Sequence, residues 1–279
     1  MKRIGFALLL FIWIAGFVIL GDVMQEIPGD RKYFESKESF QDFRVMQIEG
    51  QSRGDPSKGI WKQNRIKELT WHMLYSRFGT RPEKKGSLLQ EKLWNVFLSK
   101  EIAKQYEQYY TVVLSDIRCF PVLEDKKKNV PVTYEDSWGF ARNYGGSRRH
   151  EGTDLMAGNN KRDYFTIVSV SDGIVEKMGW LELGGYRIGV RSPSGAYFYY
   201  AHMSQYAETL QIGGEVKAGQ KLGMMGDTGY SKTEGTTGKF DVHLHFGIYF
   251  DADGEEISVN PYYILRQIEN QQENDSQKK

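Results

Sequence analysis

The sequence predicts a mostly β protein: an antiparallel sandwich or barrel domain, preceded by an N-terminal transmembrane helix and a small helical region. Three observations lead to this prediction. Short β-like runs alternate with glycine turns after residue 120, and they leave no room for crossover helices. A charge-free apolar run lies at the amino terminus. Between these two regions, apolar residues recur at helical spacing.

The first element is an apolar segment at residues 1–21. Lys2 and Arg3 precede the run from Ile4 to Leu20, which contains no charged residue. This run is short for a membrane span but longer than most signal-peptide apolar regions. No small-x-small cleavage site follows directly, which favours an uncleaved anchor over a cleaved signal segment. The preceding basic residues then place the rest of the chain outside the cytoplasm, anchored in the cell membrane, or secreted if the segment is cleaved.

Two further segments precede the β domain. Residues 22–59 are polar, mixed in charge and rich in turn residues, so we expect a linker with little fixed structure. Residues 60–112 are expected to form a helical hairpin that supports the next domain, binds an unidentified protein partner or acts as a spacer. Its two apolar stripes are Ile66, Leu69, Met73 and Leu74, then Leu89, Leu93, Val96 and Phe97.

The β domain is placed at residues 120–265, and a polar, disordered tail is expected at 266–279. The formal net charge of +1 gives no sign of a nucleic-acid binder that relies on bulk positive charge. Cys119 is the single cysteine, so the chain has neither an internal disulfide nor a zinc site built from thiolates.

One strand carries two of the five histidines. In KFDVHLHFGIYF, His243 and His245 alternate with apolar residues, as in a strand with one face on a core and the other face free. Two more histidines, His150 and His202, lie elsewhere in the β domain. A single histidine is more often a hydrogen-bonded structural residue than a ligand. Four of them in three separate motifs argue for a common site.

The spacing of these residues suggests a metal site. His150 and Asp154 are four residues apart in RRHEGTD, so in extended chain they share a face. Together with one histidine of the 243/245 pair they would supply two nitrogens and one oxygen. That is the three-ligand set of a catalytic zinc site, with a fourth position left for water or substrate, although other divalent metals would bind it too.

The three motifs HEGTD, YYAHMS and DVHLHFGI resemble those of the lysostaphin-type (LytM-like) zinc metallopeptidases, which cleave peptide bonds in bacterial cell-wall peptidoglycan. The resemblance covers roughly residues 137–261 and has no departure at the motif positions. It implies a lysostaphin-type β fold, one Zn²⁺ held by His150, Asp154 and His245, and His243 and His202 as catalytic histidines. It also implies a peptidoglycan peptide as the substrate.

Within that family, DSWGFARNYGGSRRHEGTDLMA is similar to a subgroup of L-alanyl-D-glutamate endopeptidases that act in spore-wall formation. Two alternatives stay open. One is a non-catalytic scaffold that binds the cell wall or activates an amidase. The other is a metal-dependent hydrolase of a different substrate, such as a bacteriocin or a protein.

The residues around the motifs suggest how such a site would work. Zinc activates water and polarises a carbonyl, a neutral histidine can take the proton, and a second histidine can hydrogen-bond the oxyanion, which is worth roughly 3 kcal/mol. The pair Arg148 and Arg149 could meet a substrate carboxylate or be a solvated surface pair. Residues 226–238 lack the ending of a phosphate loop and are expected to lie beside the site. One phenol of AYFYYAHMS could face the cleft.

Overall fold

The structure, a computed structural model, describes residues 2–48, 61–80, 94, 96, 98–123, 130–144 and 146–277. Two compact units are distinguished: Met1–Phe43 with Lys67–Gln108, and Arg44–Ile66 with Tyr109–Lys279. The helices are α1 (Lys2–Phe34), α2 (Lys37–Arg44), α3 (Gln63–Tyr75), α4 (Lys100–Leu114) and α5 (Tyr262–Gln277).

Helix α1 contains the predicted apolar segment and continues well past it to Phe34. Its stretch Phe11–Phe34 is the one part of the described chain that is long and apolar enough to cross a membrane. Large apolar side chains on this stretch are exposed, which is expected of a helix that meets lipid or is later cleaved from the chain. They include Phe11, Ile12, Trp13, Ile14, Phe17 and Val18.

The prediction of a linker with little fixed structure is wrong for residues 22–48, which lie largely in α1 and α2. Phe34 and Phe43 are buried, and both rings contact Phe78 at 5.9 Å between centroids. The buried Asp30 accepts hydrogen bonds from Arg77 and Trp94. A few widely spaced aromatic residues therefore order a segment whose composition is otherwise polar. Residues 49–59 lie outside the described residues.

The predicted helical region is described in part. The first stripe lies on α3, where Ile66, Leu69, Met73 and Leu74 are all buried. Of the second stripe, Leu89, Leu93 and Phe97 lie outside the described residues, and Val96 is exposed, so its assignment to a buried face is wrong. A further helix, α4, begins at Lys100, beyond that stripe.

The β domain contains an 11-stranded sheet and a two-stranded sheet, and every strand pairing in the described chain is antiparallel. The mostly β, antiparallel fold class is thereby confirmed. The main path is β1-β6-β11-β9-β12-β5-β2. The strands are β1 (Val122–Leu123), β2 (Val132–Thr133), β3 (Ala141–Arg142), β4 (Arg148–Arg149), β5 (Thr153–Ala157), β6 (Thr166–Val168), β7 (Gly173–Leu181), β8 (Gly185–Arg191), β9 (Tyr197–Tyr206), β10 (Glu215–Val216), β11 (Lys221–Met225), β12 (His243–Ala252) and β13 (Glu255–Val259).

Strand β12 lies between β9 and β5 and separates the core from the site. On its core face, Phe246 stacks on Phe198 of β9 at 6.3 Å and contacts Tyr200 at 5.3 Å. Burying each such aromatic side chain stabilises the fold by roughly 2–3 kcal/mol. The fully buried residues of this face are Leu244, Phe246, Ile248 and Phe250. This face fixes the register, so the histidines of β12 must point the other way.

The disordered tail predicted at 266–279 is also wrong, because α5 continues to Gln277. The helix has a clear start: the side-chain oxygen of Asn260 accepts a hydrogen bond from the Tyr262 amide at 2.9 Å, and Pro261 stands at the first helical position. Leu265 and Ile268 are buried. A capped and packed first half therefore extends a helix into residues that are polar but good helix formers.

Candidate metal centre

Strand register brings the predicted metal-binding residues together. Asp154 on β5 lies directly opposite His245 on β12. Facing residues of an antiparallel pair have their side chains on the same side of the sheet. His150 lies three residues before the start of β5 and is buried. Gly152, between them in the chain, is needed here, since a Cβ atom at that position would lie 2.6 Å from the His245 ring.

Three donor atoms form an equilateral triangle. His150 Nε2, Asp154 Oδ1 and His245 Nδ1 are each 3.0 Å from the other two. Zn²⁺ with bonds of about 2.1 Å to tetrahedral ligands separates those ligands by roughly 3.4 Å. The triangle therefore needs only a small expansion to hold such an ion, and its two nitrogens and one oxygen suit zinc.

Backbone carbonyls fix which ring nitrogen carries the proton in three of the four histidines. His150 Nδ1 lies 3.1 Å from the carbonyl oxygen of Ser137, which can only accept, so Nδ1 donates and Nε2 keeps its lone pair. The same argument applies to His202, whose Nδ1 donates to Thr228 O at 2.7 Å. It applies again to His243, whose Nδ1 donates to Asp241 O at 2.7 Å.

His202 and His243 lie beside the triangle. Their ring centroids are 4.7 Å apart, and His243 Nε2 is 3.8 Å from Asp154 Oδ1. Both rings are buried, and both present an unprotonated Nε2 in the neutral state. His202 has a positive φ of 63°, an uncommon backbone conformation for this residue type that turns its ring out of the regular strand pattern.

The titration of these groups is set by burial and by each other. Burial and the neighbouring His243 and His245 hold the pKa of His202 well below its usual value. Burial lowers the pKa of His245 as well, against the opposing effect of Asp154. Burial alone would raise the pKa of Asp154, but hydrogen bonds from His150 and His245 outweigh it and hold that pKa below its ordinary range. At neutral pH the centre therefore contains a carboxylate, together with neutral rings at His202 and His245.

Arg142 binds the second oxygen of the same carboxylate: its Nη2 donates to Asp154 Oδ2 at 2.7 Å. Sequence reasoning missed this residue, because arginine is not a metal ligand and Arg142 lies 12 residues before Asp154. The glycine pair in ARNYGGSRR, which by sequence predicts a turn, was the available signal. Arg142 leaves Oδ1 as the oxygen that faces the two nitrogens.

Replacing Arg142 with glutamine is expected to weaken zinc binding by roughly 10- to 100-fold, as loss of a partner of a metal ligand does. The physical reason is that the Asp154 carboxylate loses the bond that orients it. Competition with a chromophoric chelator measures the change. Arg149→Gln is the matched control, since Arg149 is exposed and its one hydrogen bond among the described residues is to Gly139 O at 3.3 Å. Unchanged affinity in Arg142→Gln would contradict the prediction.

Acid is expected to destabilise the metal-free protein through His202. The unfolded chain binds a proton there with a pKa near 6.5, while the folded chain binds one only at lower pH. Below about pH 6.5 the unfolded state therefore holds more protons, and the free energy of unfolding falls by up to about 1.4 kcal/mol per pH unit. Urea unfolding between pH 5 and 8 measures this slope. His202→Gln should reduce the slope, and an identical slope would refute the assignment.

All five predicted site residues line one cavity of about 340 Å³, with Arg142, Arg148, Tyr199 and Tyr230 also in its wall. Tyr199 is therefore the phenol of AYFYYAHMS that faces the cleft. In the described part of the chain its hydroxyl has no hydrogen-bond partner, and burial raises its pKa, so it remains a protonated donor. Tyr230 belongs to the loop 226–238, whose Asp227 is held by the Arg162 side chain and the Gly238 amide.

Comparison with known proteins was made on sequence and on structure. Residues 148–261 match the model of peptidase family M23. The crystal structure of a lytM protein from Ruminococcus gnavus is similar to this chain, with a TM-score of 0.71 and 40% identity; the match covers 86% of this chain and 96% of that one.

Two curated relatives are similar over shorter stretches. The L-Ala--D-Glu endopeptidase of Bacillus subtilis is 36% identical over 181 residues, which are 62% of this chain and 52% of that protein. The glycyl-glycine endopeptidase ALE-1 of Staphylococcus capitis is 36% identical over 102 residues, 36% of this chain and 25% of that protein. The matches thus span about half and a quarter of the lengths of these two relatives.

Proposed function

Because the chain belongs to peptidase family M23, we propose that it is a zinc-dependent endopeptidase that hydrolyses peptide bonds in bacterial cell-wall peptidoglycan. One observation supports this most directly. A triangle of two imidazole nitrogens and a carboxylate oxygen lies in the same cavity as two further histidines, each of which donates Nδ1–H to a backbone carbonyl and so turns Nε2 away from that bond. In this proposal His150, Asp154 and His245 hold the ion. His243 and His202 are the catalytic histidines.

The chemistry divides between the ion and the chain. Bound zinc would supply Lewis acidity, activating a water molecule and polarising the peptide carbonyl. His243 Nε2 accepts the proton of the attacking water and afterwards donates it to the leaving amine. Asp241 O keeps Nδ1 protonated throughout, so the proton is exchanged at the nitrogen that faces the cavity.

His202 is better suited to accepting a proton than to donating a hydrogen bond to an oxyanion. Its Nδ1–H is donated to Thr228 O, and its lowered pKa keeps Nε2 unprotonated. A neutral His202 is therefore an acceptor, suited to orienting the water or receiving its proton. The protonated hydroxyl of Tyr199, in the wall of the same cavity, is the better candidate to hydrogen-bond the developing oxyanion.

The Bacillus subtilis relative, an L-Ala--D-Glu endopeptidase, supports a choice of bond. We propose that the bond cut is the one between L-Ala and D-Glu of the stem peptide and that the protein acts in sporulation. We also propose the division into an anchor or signal segment at 1–21, a helical region at 60–112 and a catalytic domain at 120–265. The exposed apolar residues of α1 support a membrane anchor with the catalytic domain outside the cytoplasm.

Digestion of purified peptidoglycan tests the activity. The full chain in detergent, loaded with zinc, should release peptides whose new amino termini, identified by mass spectrometry, begin with D-Glu. Chelation should abolish this and added zinc restore it. A zinc-loaded chain that releases no new amino terminus from peptidoglycan would refute the proposal and favour the scaffold. Cleavage of a protein but not of peptidoglycan would favour a metal-dependent hydrolase of a different substrate.

A further inference from the structure

The β3–β4 hairpin presents two arginines on one face of the cavity wall. Arg142 and Arg148 are cross-strand partners, so their side chains lie on the same side of the hairpin. Arg149 pairs with Ala141 and points to the other side. His150 follows Arg148 by two residues and is buried in the metal centre. Strand alternation thus places Arg148 on the side of Arg142, although Arg149 also contributes to the wall of the cavity.

The two facing arginines differ in what neutralises them. Two like charges directly opposite each other are unfavourable unless anions accompany them. Arg142 is paired with the Asp154 carboxylate at 2.7 Å. Across the described chain, no carboxylate oxygen lies within 4.0 Å of the Arg148 guanidinium. Arg142 is therefore neutralised by a carboxylate. Arg148, opposite it on the hairpin, is a cation in the cavity wall with no carboxylate in contact among the described residues.

Arg148 is nevertheless held in place. Its Nε donates to Tyr144 O at 3.3 Å and its Nη2 to the Tyr230 hydroxyl at 3.4 Å. The two tyrosine rings stack with centroids 4.3 Å apart and 6° between their planes. Nη1 makes no hydrogen bond to any described residue, which leaves donors available for a ligand. The side chain is thus oriented by neutral groups that leave its charge uncompensated.

Tyr230 also sets the distance to the catalytic residues. Its ring contacts His202 at 5.9 Å between centroids while its hydroxyl contacts Arg148. Both residues line the same cavity, so a peptide that is cut beside His202 passes along the wall that carries the Arg148 guanidinium.

We propose that Arg148, with the Tyr230 hydroxyl, forms a carboxylate-binding subsite that selects peptides with an acidic residue next to the scissile bond. This rests on the proposed peptidase function and deepens it, because it identifies what the enzyme reads in its substrate. A glutamyl residue that continues a peptide through one carboxyl group retains the other as a free carboxylate. Its amide counterpart has the same shape without the charge, and the subsite distinguishes the two.

Two matched peptides test this. They contain L-Ala–D-Glu or L-Ala–D-Gln and differ only in a carboxylate and an isosteric carboxamide. The full chain, loaded with zinc in detergent, should cleave the acidic peptide with a kcat/KM roughly 10- to 100-fold higher, as expected for a charged hydrogen bond. Arg148→Gln should lose this preference by slowing cleavage of the acidic peptide alone, and Arg148→Lys should recover part of it. Arg118→Gln is the control and should keep the preference, because Arg118 is exposed, donates to the carbonyls of Ser115 and Ile117 and is not part of the cavity wall.

The possible results distinguish failure of the proposed subsite from failure of the proposed peptidase function. Equal rates for the two peptides in the unsubstituted chain, or equal losses on both peptides in Arg148→Gln, would overturn the subsite while leaving the peptidase intact. If neither peptide is cleaved, calorimetry with reduced-amide analogues of both still decides. If the acidic analogue binds more tightly than the amide analogue, and Arg148→Gln removes the difference, the subsite is supported even without measurable activity. Equal binding of the two analogues overturns the subsite.

Discussion

Replacing His243 with alanine is expected to lower kcat by roughly 100- to 10,000-fold, the usual worth of a general acid–base group, while zinc stays bound. His243 donates Nδ1–H to Asp241 O, so its Nε2 is the free base of the cavity, 3.8 Å from Asp154 Oδ1. It is not a corner of the donor triangle, so its loss should leave the metal affinity almost unchanged. Steady-state cleavage of a stem peptide and metal analysis of the purified variant measure both quantities.

The matched control is His72→Ala. His72 is the one histidine of the chain outside the β domain, on α3, and its removal should change neither kcat nor zinc content. A His243→Ala variant with unchanged kcat would exclude His243 as the proton carrier. A variant that loses zinc together with activity would instead make His243 a ligand. The two measurements together therefore separate the roles of the two histidines on β12.

The alternation in KFDVHLHFGIYF was sufficient to predict which face of β12 is core and which faces the site. The physical reason is that core residues and site residues alternate along this one strand. Leu244 and Phe246 are buried in the core, whereas His243 and His245 line the cavity on the opposite face. Local periodicity is reliable where a strong apolar face fixes the register. The sequence could therefore predict that His243 and His245 share the face of β12 that lies opposite the core.

What the sequence could not predict depends on contacts distant in the chain. The carbonyl of Thr228 fixes the tautomer of His202, although 26 residues separate them. A backbone carbonyl has no residue-specific signature, so the acceptor character of His202 could not be read from its motif. The helical order of residues 22–48 was missed for a similar reason. It depends on Phe34 and Phe43 meeting Phe78 far along the chain, while composition reports only local polarity.

Replacing Asp154 with asparagine is expected to abolish activity by abolishing metal binding. The substitution keeps the shape of the side chain but removes the negative charge that faces two imidazole nitrogens at 3.0 Å. Loss of a ligand should cost more than the roughly 10- to 100-fold typical of an outer partner such as Arg142. Zinc in large excess over its Kd stabilises a folded protein by about 4 kcal/mol, so its effect on thermal unfolding is a sensitive readout.

Thermal unfolding with and without zinc should therefore show a large rise in Tm for the unsubstituted chain and almost none for Asp154→Asn. Asp172→Asn is the matched control, because the same chemical change there affects an exposed carboxylate 3.6 Å from Lys217. A zinc-induced rise in Asp154→Asn equal to that of the control would mean that the ion binds elsewhere. A zinc-free Asp154→Asn chain that still cleaves peptidoglycan would show that metal binding is dispensable, which contradicts a zinc peptidase.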